Sequence, residues 1–240
     1  MKYDLENKSL PSVSFPLPGG KSQLKHLLEQ NIQNGIRALI IGPVTNFIIK
    51  GLLEHYSEIN IIADSYDSLM NIRMTLKQDH PTKLKMMDYA HTDFENDHFN
   101  LIYSQGSISV IERKNILKEI KRITVDDGLF CVGEIVSLKE PVPAFVKDIW
   151  ERSGLDPLAS SEIANFYESK GFKILSEKDL STGLKDFYEN IRLLVLKTGK
   201  DNKEADKKYF SQLKHESNVY LKLGGDKYIG FKSLIMRKSN

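Results

Sequence analysis

A doubly wound α/β fold, with a mainly parallel seven-stranded sheet and helices on both faces, is predicted for this 240-residue chain by three observations. Short β-branched runs alternate with longer stretches of helical period, which implies βαβ units joined by right-handed crossovers. The first two runs are nearly continuous in apolar residues, as strands covered on both faces are. The length, with 40% hydrophobic residues, suits one self-sufficient core that needs no disulfide or metal.

Residues 1–22 contain Pro11, Pro16, Pro18, Gly19 and Gly20 and read as an extended arm with a turn, ahead of one domain over 23–240. Strand-like runs follow at Arg37–Gly42, Ile59–Asp64, Leu84–Asp88, Phe99–Ser104 and Leu129–Gly133. Between the first two, Phe47-Ile48-Ile49, Leu52-Leu53 and Tyr56 form an apolar stripe of helical period. Leu69, Ile72, Arg73 and Leu76 form another, with Asp67 or Ser68 as its cap. Ile116-Leu117, Ile120 and Ile123 form a third, ended by a turn at Asp126-Asp127-Gly128. Phe172–Leu175 reads as a sixth strand, a helical insertion covers about 184–223, and Tyr228–Met236 is a last strand after Gly224-Gly225. Arriving by way of an insertion, that strand can enter antiparallel between neighbours.

Charge is balanced, with 34 Lys and Arg against 32 Asp and Glu, and shows no concentrated basic face of the kind nucleic-acid binding needs. The lysines at 197, 200, 203, 207 and 208 are interleaved with Asp201, Glu204 and Asp206 and read as a solvated helix face. The one cysteine, Cys131, lies in an apolar run and reads as a buried hydrophobe. Neither a signal-peptide pattern nor an apolar run of about 18 residues occurs, so no membrane partner and a cytoplasmic location are expected. None of the six histidines pairs with another His or Cys at metal-binding spacing, so no metal is expected. The oligomeric state is not determined by any of these features.

In open α/β sheets ligands bind beyond the carboxyl ends of the strands, near the switch point. Here the loop after the first strand reads Gly42-Pro43-Val44-Thr45-Asn46, and Asp64 ends the second strand 22 residues beyond Gly42. An acid at about that spacing can accept both hydroxyls of a ribose. Equally, Asp64 can cap the next helix, since Ser65-Tyr66-Asp67-Ser68 follows.

These stretches resemble, in order, the motifs of the class I S-adenosylmethionine-dependent methyltransferases, whose sheet is Rossmann-like. Ala38–Asn46 is similar to the first motif, V-L-D-I-G-C-G-T-G, and Ile62-Ala63-Asp64-Ser65 to the second, whose acid holds the ribose. Met87-Asp88-Tyr89-Ala90 and Asp93–Ile102 resemble the third and fourth, and Leu117–Leu129 resembles L-x-E-x-x-R-V-L-K-P-G-G-x-L. Tyr167–Phe172 is similar to the L-x-x-A-G-F before the sixth strand, and the Leu17–Gly20 arm resembles a small-molecule branch near arsenite methyltransferases. The resemblance spans roughly residues 17–180. It implies S-adenosylmethionine as cofactor and a small-molecule acceptor. It also implies cofactor contacts from Gly42, Pro43, Asn46, Asp64, Ser65, Asp88, Tyr89, Ser104 and Gln105, with no catalytic residue assigned.

Ile40 stands where the family has an acid, and Val44 and Asn46 replace the second and third motif glycines. Asn46 is of a type that tolerates left-handed backbone. Val44 is expected to carry a branched Cβ into the cofactor's approach, and Pro43 offers no N–H. Either the loop takes another path, or the cofactor site is weakened and the chain is a methyltransferase-like scaffold or regulatory binding protein. A nicotinamide-dependent oxidoreductase lacks its G-x-G-x-x-G turn, and no G-x-S-x-G or G-x-x-x-x-G-K-[ST] supports a hydrolase or kinase. Among the remaining polar residues, Glu134 at the end of the fifth strand accepts a proton or caps a loop. His91 and His98 read as solvated loop residues and Trp150 as packing.

Overall fold

The computed structural model describes residues 16–30, 32, 34–76, 82–198 and 204–239. The first fifteen residues of the expected arm lie outside this set, as do the side chains of the lysine-rich tail at 197–209. Among the described residues there are eight strands: β1 (Gly35–Ile41), β2 (Tyr56–Ala63), β3 (Thr82–Met86), β4 (Phe99–Gln105), β5 (Thr124–Ser137), β6 (Leu158–Ala159), β7 (Phe172–Asp179) and β8 (Ile229–Lys238). The α-helices are α1 (Ser22–Leu28), α2 (Asn46–Leu53), α3 (Tyr66–Thr75), α4 (Arg113–Ile123), α5 (Ala144–Arg152), α6 (Ile163–Glu168), α7 (Leu184–Thr198) and α8 (Glu204–Lys222).

The sheet runs β3-β2-β1-β4-β5-β8-β7. The first five strands of that order are parallel, and β8 lies antiparallel between β5 and β7. A polypeptide returning through the α7–α8 hairpin reaches β5 from its far end, which is why β8 runs backwards. The eighth strand, one more than expected, is the two-residue β6 beside Val136 and Ser137 of β5.

Alternation along the strands sorts side chains to two faces. Ala38, Ile40, Leu101 and Tyr103 pack under α1, α2 and α3, against residues such as Leu24, Leu27, Ile48, Leu52, Leu69 and Ile72. Leu39, Ile41, Ile102, Phe130 and Val132 face α4 and α6 through Ile116, Ile120, Ile123, Ile163 and Tyr167. A third cluster, including Trp150, joins α5, α7 and α8 to the ends of β5 and β8. Each fully buried large aliphatic side chain stabilises the fold by about 1.5–3 kcal/mol.

Three local expectations are corrected. The α2 stripe stops at Leu53, and Tyr56 already begins β2. Helix α3 is capped by Ser65, ahead of both Asp67 and Ser68, the expected caps. Finally, Asp126–Gly128 is an outward irregularity inside β5, not a connection. α4 runs directly into β5, the register jumps from Phe99↔Thr124 to Leu101↔Leu129, and Asp127 sits at φ +59°.

Candidate functional site

Strand order reverses direction between β1 and β4, so their tips form the switch point where a crevice is expected. At the tip of β1, Gly42 has φ +90° and its N–H donates to the Ile62 carbonyl at 2.9 Å, turning the chain sharply across β2. A Cβ there would run into Ser107 Oγ and stand 2.7 Å from Ser107 Cβ, so only glycine fits. Pro43 is exposed, while Val44 turns into the core beneath α1 and α2. The branched Cβ of Val44 therefore does not enter the crevice, contrary to expectation. Asn46 is the first residue of α2 and is not left-handed, so it does not replace a motif glycine. Its Nδ2 donates to the Thr75 carbonyl at 2.9 Å, which ties α2 to the end of α3.

At the tip of β2 the two readings of Asp64 separate. Ser65 Oγ accepts from the Ser68 N–H at 3.2 Å and caps α3. Asp64 is left exposed, and among the described residues its carboxylate has no hydrogen-bond or ion-pair partner. Its N–H donates to Tyr89 Oη at 3.2 Å. The Tyr89 ring is buried, and its hydroxyl lies close to Gly42. Burial, reinforced by the Asp64 carboxylate, pushes that phenol above its ordinary range, so it keeps its proton. Asp88 Oδ1 accepts from the Ala90 N–H at 2.8 Å, and Oδ2 lies 3.2 Å from His91 Nδ1. Those hydrogen bonds hold its exposed carboxyl below the usual range.

The structure thus brings Gly42, Asp64 and Tyr89 into contact, with Asp88 beside them. Ser104 and Gln105 are placed differently. Ser104 is fully buried at the end of β4, its Oγ has no partner among the described residues, and its carbonyl accepts from Gln23 Nε2 at 2.8 Å. Gln105 Oε1 accepts from Tyr103 Oη at 2.7 Å, and Nε2 donates to the Pro18 and Gly20 carbonyls at 2.7 and 2.9 Å. Its amide hydrogens are committed to the arm.

Residues 17–23 accordingly lie across the tips of β4 and β5. Gly106, at φ +73°, leaves room for Pro18, whose Cγ would stand 2.6 Å from an added Cβ. Gly133 makes the same room for the Gln23 amide. Sequence reasoning missed Ser107, Pro18 and Gln23 as parts of this site. The available signal was the glycines Gly42 and Gly106 just after β1 and β4 and Gly133 within β5, since a glycine in such a place marks close approach of another segment.

Behind the crevice, Glu134 is buried and fully partnered. Ser109 Oγ donates to its Oε2 at 2.6 Å, Tyr167 Oη donates to Oε1, and Arg113 Nε lies 3.1 Å from Oε1. The Arg113 contact is off the hydrogen-bond direction and so acts as an ion pair. Arg113 also donates to the Asp156 carbonyl. This cluster binds the loop after β4 to α4, α6 and the segment before β6. It is a buried structural tie that neither caps a loop nor faces solvent. His91 is exposed, His98 packs on Phe94 and Phe99, and Trp150 packs in the α5 cluster. Among the described residues no group of three or more His, Cys, Asp or Glu is placed to hold a metal. No helix among them is long and apolar enough to cross a membrane.

No family model matches the sequence, and no curated protein does. Solved structures match its fold. A candidate sarcosine dimethylglycine methyltransferase from Galdieria sulphuraria aligns with TM-score 0.72 at 13% identity, over 90% of this chain and 84% of that one. The [4+2]-cyclase SpnF aligns with TM-score 0.69 at 18% identity, over 90% and 80%. Phosphoethanolamine N-methyltransferase 2 of Haemonchus contortus, in complex with phosphomonomethylethanolamine and S-adenosylhomocysteine, aligns with TM-score 0.74 at 16% identity. That alignment covers 95% of this chain and 55% of the larger enzyme. With this strand order and these neighbours, the chain has the Rossmann-like fold of the class I S-adenosylmethionine-dependent methyltransferases.

Proposed function

We propose that the protein binds S-adenosylmethionine across the tips of β1, β2 and β4 and transfers its methyl group to a small-molecule acceptor. The observation that carries this reading is the uncommitted Asp64 carboxylate beside the Gly42 turn, freed because Ser65 does the capping. The residues present fit the nucleoside half of the cofactor. Asp64 can accept from both ribose hydroxyls, and Tyr89 keeps a proton to donate after accepting from the Asp64 N–H. Asp88 retains lone pairs beyond those used by Ala90 and His91 and would accept from the adenine amino group. The other half would be bounded by Gly42, Ser107 and the arm. When bound, the cofactor supplies an electrophilic methyl group. The arm, held by Gln105, excludes water from the strand tips, and orientation of the acceptor then accounts for much of the rate. The Haemonchus contortus neighbour, bound to S-adenosylhomocysteine, supports the cofactor assignment.

A second reading, a scaffold of this fold that binds a partner without catalysis, draws on the Ser107 side chain seated against Gly42. The cyclase among the neighbours is a reminder that one fold hosts several chemistries. Calorimetry separates the two. S-adenosylmethionine and S-adenosylhomocysteine should both bind saturably, and Asp64→Ala should weaken both by about tenfold or more, the cost of charge-assisted hydrogen bonds to ribose. No heat at millimolar ligand would overturn the methyltransferase reading and leave the scaffold.

A further inference from the structure

At the opposite end of the sheet from the candidate site lies a groove of about 410 Å³. Its walls carry Lys114, Lys118, Lys121 and Arg122 from α4, Lys170 from the turn after α6, and Lys238 at the end of β8. Asp97 is the one acid among the lining residues. In a chain with 34 basic and 32 acidic residues, six cations converging on one acid is a strong local excess.

Two of the cations are neutralised. Arg122 Nη2 lies 2.6 Å from Glu119 Oε1, and Lys238 Nζ lies 2.6 Å from Asp97 and 3.4 Å from Asp126. Among the described residues, Lys114, Lys118, Lys121 and Lys170 have no carboxylate at ion-pair distance. Lys170 Nζ lies 5.5 Å from the centre of the Phe166 ring, and Lys121 is pressed against Gly171, so both are positioned by packing. Lys114, Lys118 and Lys121 recur at i, i+4 and i+7 and share one helix face. They form a row about 10 Å long, at 1.5 Å per residue.

We infer that this groove binds the linear polyphosphate of a small molecule. Three lysines spaced along one face of α4, with Lys170 lining the same groove from the turn after α6, match a chain of phosphates better than a single one. The volume lies within the range of small-ligand pockets, and Leu117 supplies an apolar floor. The excess charge escapes a linear reading because Lys170 and Lys238 come from distant parts of the chain. This site is independent of cofactor binding at the strand tips.

Calorimetry on the full chain at low salt tests the inference, with tripolyphosphate as probe and ATP, orthophosphate and a single-stranded oligonucleotide in parallel. Tripolyphosphate should bind one-to-one and weaken steeply with added salt. Orthophosphate should bind at least about tenfold more weakly, since it can meet fewer charge-assisted hydrogen bonds. Lys114→Gln with Lys118→Gln changes two exposed helical positions at little cost in helix propensity. It should weaken tripolyphosphate binding about tenfold or more, and Lys170→Gln should lower it from the other wall. ATP matching tripolyphosphate, with the same losses, identifies a nucleotide as the source; weaker ATP identifies inorganic polyphosphate. Undiminished binding in both variants, or no saturable heat from tripolyphosphate, would overturn the inference. So would tighter binding of the oligonucleotide, or a loss caused by Asp64→Ala at the other end of the sheet.

Discussion

Replacing Gly42 with alanine perturbs the turn that shapes the candidate site, and the structure allows its cost to be worked out. Residue 42 sits at φ +90°, where an L side chain costs about 1–2 kcal/mol. The new methyl would also run into Ser107, whose Cβ stands 2.7 Å away, and overpacking of that kind adds about 1–3 kcal/mol. The expected loss is about 2–5 kcal/mol, a large share of the stability of a protein this size. At about 2–4 °C per kcal/mol, melting should fall by at least about 4 °C. Ser107→Gly removes the obstacle and leaves the backbone strain, so the double variant should recover the steric part. Urea unfolding of the parent, both single variants and the double variant gives that coupling directly. A Gly42→Ala protein within about 0.5 kcal/mol of the parent would refute the constrained turn. Purely additive losses would show that Ser107 is not the obstacle.

Two further predictions concern buried charge. Glu134→Leu leaves the buried Arg113 with only the exposed Asp156 carboxylate, 4.0 Å away, and should cost about 3–5 kcal/mol in urea unfolding. Adding Arg113→Met should restore much of it, and a double variant no better than the single would refute the pairing. At Glu119, burial pushes the carboxyl up, but hydrogen bonds from Arg122 and Thr92 together outweigh it and bring it to about 2, against an ordinary 4.5. A folded value below the unfolded one means this stabilisation is present above pH 4.5 and is lost as pH falls towards about 2. Glu119→Gln should flatten the acid limb of unfolding free energy against pH in that window. Parallel limbs in the two proteins would contradict it.

The runs that form β1 and β2 could be read directly from the sequence because each is a nearly continuous apolar segment covered on both faces, whereas β3, a largely exposed edge strand interrupted by Lys83 and Lys85, begins and ends two residues before the expected Leu84–Asp88. The helical stripes on α2, α3 and α4 were equally local. Their ends were less so: Ser65, Asp67 and Ser68 are all competent caps, and the choice among them turns on where β2 releases the chain. That choice also frees Asp64, so the most telling residue of the candidate site could be located but its availability could not. Val44 shows the same limit, since spacing says that it follows the glycine and only packing says which way it points.

By itself the sequence determined the alternating α/β plan, the glycine turn at 42 and the acid at 64, because each depends on residues within a few turns of one another. The antiparallel entry of β8, the closure of the strand tips by Gln23, Gln105 and Ser107, and the lysine groove at the far end were decided by tertiary structure. Each joins segments far apart in the chain, such as Gln23 and Ser104, separated by 81 residues. Partners at that distance leave no periodic trace in sequence, and only the packed sheet sets how closely they approach.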